Sequence, residues 1–148
     1  MSETQQNNSI SILGQFIKDL SLEIPNAPEI FTEVKSAPKI DVNIDVKSDA
    51  KGNDRYAVTL HIVINGKLEE KTLFILELSY MGFAEVKVPA EHLEPVLMIE
   101  LPRLLFPFAR NVITQCLCEG GLPPFMLNPI DFAALYAARK QSEQAQKN

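Results

Sequence analysis

The sequence predicts an α+β fold, an antiparallel sheet of four strands followed by two helices. Three observations carry that reading. Apolar and polar residues alternate with a period of two through most of residues 16–80, as in strands with one dry and one wet face. Residues 91–119 are instead apolar around most of a helix, and the arginines, Arg103 and Arg110, fall seven apart on one narrow stripe. Gly120-Gly121 and Asn128-Pro129 then supply a helix stop and a helix start.

The strands are justified in turn by their alternation. In the first, Phe16, Leu20, Leu22 and Ile24 share one face while Asp19, Ser21 and Glu23 share the other. The second sets Ile40, Val42, Ile44 and Val46 against Lys39, Asp41, Asn43, Asp45 and Lys47. The third sets Tyr56, Val58, Leu60, Ile62 and Ile64 against Arg55, Ala57, Thr59 and His61. The fourth sets Thr72, Phe74, Leu76, Leu78 and Tyr80 against Lys71, Leu73, Ile75, Glu77 and Ser79. Asn65-Gly66 predicts a type I′ turn between strands three and four, and residues 47–54 (KSDAKGND) a polar loop between two and three. The segment from Pro25 to Pro38 holds three prolines and is too long for a tight hairpin. Strands one and two therefore need not be neighbours.

The second half predicts a long helix and a short one. Asn128 is the expected cap of the short helix, with Pro129 at its first position and Asp131 in its first turn. Phe132, Leu135 and Tyr136 give it an apolar stripe. One sheet has a single apolar face, and the short helix claims part of it. The long helix would leave large side chains in water at about 1.5–3 kcal/mol each, so a homo-oligomer built around it is expected. Residues 10–140 form the one expected domain, and the polar stretches 1–9 and 141–148 are expected to be disordered tails.

Composition narrows the function. The net charge of −5 and pI of 5.0 argue against a nucleic-acid partner. MSETQQNNSI has no basic region followed by an apolar one, so no signal peptide is expected. The most apolar region, 93–117, is broken by Pro102, Arg103, Pro107 and Arg110, so no membrane insertion is expected. The two cysteines, Cys116 and Cys118, would point to different faces of a helix, and a reducing cytoplasmic setting follows.

The catalytic inventory is thin. His61 and His92 stand in no ligand spacing, and there is no phosphate-cradling glycine loop or nucleophile elbow. No enzyme activity, cofactor or metal is expected. Asp41 with Asp45, and Asp19 with Glu23, lie four apart on strand faces; such pairs can do acid–base work, but a solvated face is their commoner meaning. Asp19, Ser21, Glu23, Ile75 and Glu77 would form one patch if strands one and four adjoin. Three apolar irregular segments are the other candidates: Ile30, Phe31 and Val34 in the crossover; Tyr80, Met81, Gly82 and Phe83 where the last strand ends; and LPPFML from Leu122 to Leu127. They are either lids on the protein's own core or surfaces for adaptable apolar recognition.

With KDLSLEIPNAP at 18–28, LPRLLFPFARNVIT at 101–114 and GGLPPFMLNPIDFAALY at 120–136, the chain resembles the SecB family of bacterial protein-export chaperones. The resemblance spans roughly residues 10–137. It implies a Greek-key four-stranded antiparallel sheet with two helices, and four subunits assembled as a dimer of dimers. It implies a non-enzymatic chaperone that keeps unfolded precursors competent for translocation and delivers them to the SecA ATPase. By position, the client groove would take Ile30, Phe31, Val34, Tyr80, Met81, Phe83, Leu122, Phe125, Met126 and Leu127. The SecA-binding surface would take Asp19, Ser21, Glu23, Ile75 and Glu77. The alternatives are a SecB-like chaperone for a client such as an antitoxin and, further off, a small-molecule-binding α+β domain.

Overall fold

The alternating half of the chain folds as one antiparallel sheet in the computed structural model, which describes residues 8–147. Its strands are β1 (Ser9–Glu23), β2 (Lys39–Gly52), β3 (Arg55–Leu68) and β4 (Lys71–Lys87), in the spatial order β1-β4-β3-β2. β2, β3 and β4 form a meander, and the segment after β1 carries the chain across to the far edge, which is a Greek key. The inner face is continuous: Leu60, Ile62 and Ile64 of β3 alternate with Leu76, Leu78 and Tyr80 of β4, all buried. Leu20 and Leu22 of β1 lie opposite Leu78 and Leu76 on that same face.

Two turns differ from expectation. Asn65-Gly66 is not the hairpin turn, because β3 runs on to Leu68 and the chain reverses at Glu69-Glu70, with Glu69 at φ 55°. A two-residue turn at Asn65-Gly66 would set Ile62 opposite Glu69 and Ile64 opposite Lys67. The observed register sets them opposite Leu78 and Leu76, and burial of apolar pairs outweighs turn chemistry. Gly66 serves another purpose, since a Cβ there would lie 2.3 Å from the Phe74 ring. The polar stretch 47–54 is also mostly strand. β2 continues to Gly52, and the turn is Asn53-Asp54, with φ of 55° and 60°, the left-handed pair of a tight hairpin that Asn and Asp tolerate.

The strands are longer than their alternation alone suggests. β4 continues to Lys87, so Tyr80, Met81, Gly82 and Phe83 are strand residues and not an irregular segment. Their inward set is Tyr80, Gly82, Ala84 and Val86, and a Cβ on Gly82 would sit 2.8 Å from Leu105 of the helix above. β1 begins at Ser9, ahead of Phe16, and carries register shifts at Ile12/Gly14 and Ile17/Asp19. The second shift puts Phe16 opposite Met81, on the outer face, whereas Leu20 and Leu22 face inward. Phe16 therefore does not share a face with Leu20 and Leu22: a bulge inserts one residue and reverses the alternation.

The long helix runs unbroken as α1 (Ala90–Pro95), a π-helical turn (Val96–Glu100) and α2 (Leu101–Glu119). The wide turn lies between Pro95 and Pro102, each of which lacks the N–H an α-helix uses. Leu101, Leu105, Ala109, Ile113 and Leu117, four apart, are buried and form the stripe that covers the sheet. The opposite side leaves Leu104 at 50% and Phe108 at 52% exposure.

α3 (Phe132–Gln146) begins later than expected. Asp131, not Asn128, is its cap and accepts a hydrogen bond from Ala134 N at 3.0 Å. Asn128, Pro129 and Ile130 remain in the connecting loop. Starting at Phe132 buries that ring edge-on against Phe106, with centroids 5.8 Å apart. The helix persists through Gln146, across positions expected to be tail; the expected tail at 1–7 lies outside the described residues. Arg139 of α3 reaches the free edge of β2, where it donates to the Val46 carbonyl and lies 3.4 Å from Asp45 Oδ1. The Val46 N–H donates to the same Asp45 oxygen at 3.0 Å.

Candidate functional site

The first candidate surface is built from the crossover and the helix-connecting loop. In the crossover, a 3-10 turn at Glu29–Thr32 drives Ile30 into the core at 1% exposure and leaves Phe31 outside at 42%. Val34 is half-buried. The turn is held by Asn26 Nδ2 donating to the Thr72 carbonyl at 2.9 Å, and Lys71 meets Glu33 at 3.1 Å. In the loop after α2, Leu122 and Leu127 are buried, Phe125 is half-buried, and Met126 stands out at 63% exposure. The roots of the two segments meet, for Gly120 packs against Leu22 at the end of β1. Ile30, Leu122, Leu127 and Phe132 belong to one buried cluster.

Each segment therefore divides the same way, with anchors below and a lip above. Burying Ile30, Leu122 and Leu127 fixes the backbone, and Phe31, Val34, Phe125 and Met126 are what an incoming chain could touch. Tyr80, Met81 and Phe83 do not join them. Tyr80 is buried under the helix layer, while Met81 and Phe83 are half-buried on the outer face of the sheet. Strand alternation separates neighbours onto opposite sides, which a reading of 80–83 as irregular chain misses.

The second candidate surface is that outer face. β1 and β4 do adjoin, with Asp19 opposite Ser79, Ser21 opposite Glu77 and Glu23 opposite Ile75. One strand over, His61, Val63 and Asn65 of β3 continue the rows, followed by Asp45, Asn43 and Asp41 of β2. Asp19, Ser21 and Glu23 are exposed, and Ile75 and Glu77 half-exposed. Five carboxylates thus stand on these rows with His61 as their one basic side chain. His61 Nε2 lies 2.7 Å from Glu77 Oε1. The arrangement suits docking of a cationic partner.

Exposed apolar residues outside both surfaces were not foreseen. Ile10, Ile12, Leu13, Phe16, Ile17 and Leu20 lie along β1, the open edge of the sheet. The alternation of Ile10 and Ile12 in NSISILG was the available signal. Among the described residues no group of three or more His, Cys, Asp or Glu could hold a metal. No described helix is long and apolar enough to cross a membrane. Cys116 and Cys118 are free thiols, and burial pushes the Cys116 thiol up.

Comparison with known proteins assigns the family. The family model described as "Preprotein translocase subunit SecB" matches residues 3–143. The chain is 47% identical over 135 residues to the protein-export protein SecB of Rhodospirillum rubrum, covering 91% of this chain and 84% of the relative. It is 48% identical over 134 residues to that of Paramagnetospirillum magneticum, covering 90% and 86%. Among solved structures, a SecB-like chaperone from Mycobacterium tuberculosis, in complex with an antitoxin peptide, superposes with a TM-score of 0.66 at 12% identity. That match covers 82% of this chain and 87% of the other, and it speaks for the fold. Sheet order, helix layer and sequence agree, and the chain belongs to the SecB family of protein-export chaperones.

Proposed function

We propose that this chaperone captures unfolded precursor chains on the lip formed by Phe31, Val34, Phe125 and Met126, and delivers them to the SecA ATPase through the outer sheet face. The observation that carries the reading is the split within each loop. Anchors buried in the core hold Phe31 and Met126 out in water, where a folded monomer gains nothing from them, while Val34 and Phe125 lean against the core with part of their surface open. An unfolded segment that buries one such side chain gains about 1.5–3 kcal/mol. Ordering the segment costs about 1–2 kcal/mol for each backbone residue fixed. Single contacts are therefore weak and reversible, and capture depends on several acting together. Folded proteins hide such segments, so the lip selects unfolded chains without reading a sequence.

The assembly we propose is a homotetramer, a dimer of dimers, working in the cytoplasm. Leu104 and Phe108 on α2 and the apolar row on β1 are the surfaces a second and third subunit would cover. A tetramer also multiplies the lips presented to one client, which raises the effective concentration of each after the first contact.

The test is a refolding assay with a slow-folding precursor, read with and without SecA. The protein should delay refolding, and SecA should relieve the delay. Replacing Asp19 and Glu77 by Lys should leave the delay intact and remove the relief, with SecA binding in the parent weakening as salt rises. Refolding at the uncatalysed rate in the presence of excess chaperone would overturn the capture reading; relief by SecA in the double variant would overturn the docking face.

A further inference from the structure

The outer sheet face carries one histidine among its carboxylates. His61 sits in the middle of the face on β3, flanked along the strand by Thr59 and Val63. From β4 it is faced by Ser79 and, diagonally, by Glu77, whose Oε1 lies 2.7 Å from Nε2. From β2 it is faced by Asp45, with Asn43 and Lys47 on either side. Asp45 is already engaged, since its Oδ1 takes the Val46 N–H and meets Arg139 of α3. Beyond β4 the same rows end in Asp19, Ser21 and Glu23 of β1. The imidazole therefore turns to Glu77, one of the carboxylates through which the face is proposed to dock its partner.

We infer that His61 is a built-in competitor for Glu77 that sets how strongly this face holds a cationic partner and makes that hold depend on pH. Histidine is the side chain whose charge changes in the neutral range. As imidazolium it cancels the Glu77 charge and repels an approaching lysine or arginine. As neutral imidazole it still donates a hydrogen bond from Nε2 but cancels no charge, and Glu77 is offered to the partner. Docking strengthens as the imidazolium gives up its proton. The inference rests on the reading of the outer face as a docking surface.

The experiment measures binding of a short oligolysine peptide, and separately of SecA, to the full-length protein at about pH 6 and about pH 8, where lysine charge is constant. Wild type should bind oligolysine roughly two- to fivefold more tightly at the higher pH, the factor for one exposed ion pair. His61→Gln, which keeps a donor without charge, should bind at both pH values as wild type does at the higher one. His61→Arg should bind weakly at both. Circular dichroism at each pH checks that every variant is folded. A wild-type pH difference that survives in folded His61→Gln overturns the inference. If oligolysine follows the expected pattern and SecA does not bind, the competitor role stands and the SecA reading falls. If neither probe binds wild type at either pH, both fall.

Discussion

Met126 and Leu127 are neighbours in sequence, yet one is the most exposed large apolar residue described and the other is buried. That contrast marks what a residue-level reading of the loop could and could not supply. LPPFML between two glycines and an Asn-Pro was legible as apolar chain in an irregular segment. Which side chains turn outward was not, because irregular backbone has no period to read. The same holds for Ile30 and Phe31, which a single 3-10 turn sends in opposite directions. Phe31→Asp and Phe125→Asp should each weaken capture of an unfolded chain severalfold while secondary structure and oligomer mass stay unchanged. Ile30→Asp should instead unfold the protein, because it buries an unpaired charge. Client affinity by fluorescence anisotropy, beside thermal melts, separates the two classes.

At the scale of elements, the strands and helices of a strongly patterned chain were legible, while their ends were not. β2, β3 and the helix from 90 to 119 follow from period two and from near-continuous apolar content. The ends were decided by contacts between elements. The β3–β4 turn moved from Asn65-Gly66 to Glu69-Glu70 so that isoleucines met leucines. The cap of α3 moved from Asn128 to Asp131 so that Phe132 met Phe106. At α3 both the rejected and the chosen position carry a capping residue, whereas Glu69-Glu70 has no turn chemistry of its own; only distant residues decide in either case. Asp131→Ala should lower stability by about 0.5–2 kcal/mol through loss of the bond to Ala134 N, whereas Asn128→Ala should change it little. Urea melts of the two variants check the assignment.

For the whole molecule, the acidic face was legible as soon as strands one and four were allowed to adjoin, because Asp19, Ser21 and Glu23 then match Glu77 and Ile75 row by row. The apolar edge was legible only through Ile10 and Ile12, since two bulges in β1 scatter its other side chains over both faces and spoil the alternation. Surplus apolar surface on the helix layer pointed to association from composition alone, and Leu104 and Phe108 are where it remains. Replacing both by Asp should lower the mass in light scattering from that of the proposed tetramer to a smaller species; an unchanged mass would place the interface elsewhere. The opposite edge is treated differently. There Arg139 and Asp45 occupy both hydrogen-bonding groups of Val46. A protein that spends its working life among sticky, extended chains risks becoming the seed on which they stack, and an open strand edge is the usual template for such growth. Arg139 and Asp45 take Val46 out of that template. Arg139→Ala should leave the fold standing but make mixtures with an unfolded client turn turbid sooner.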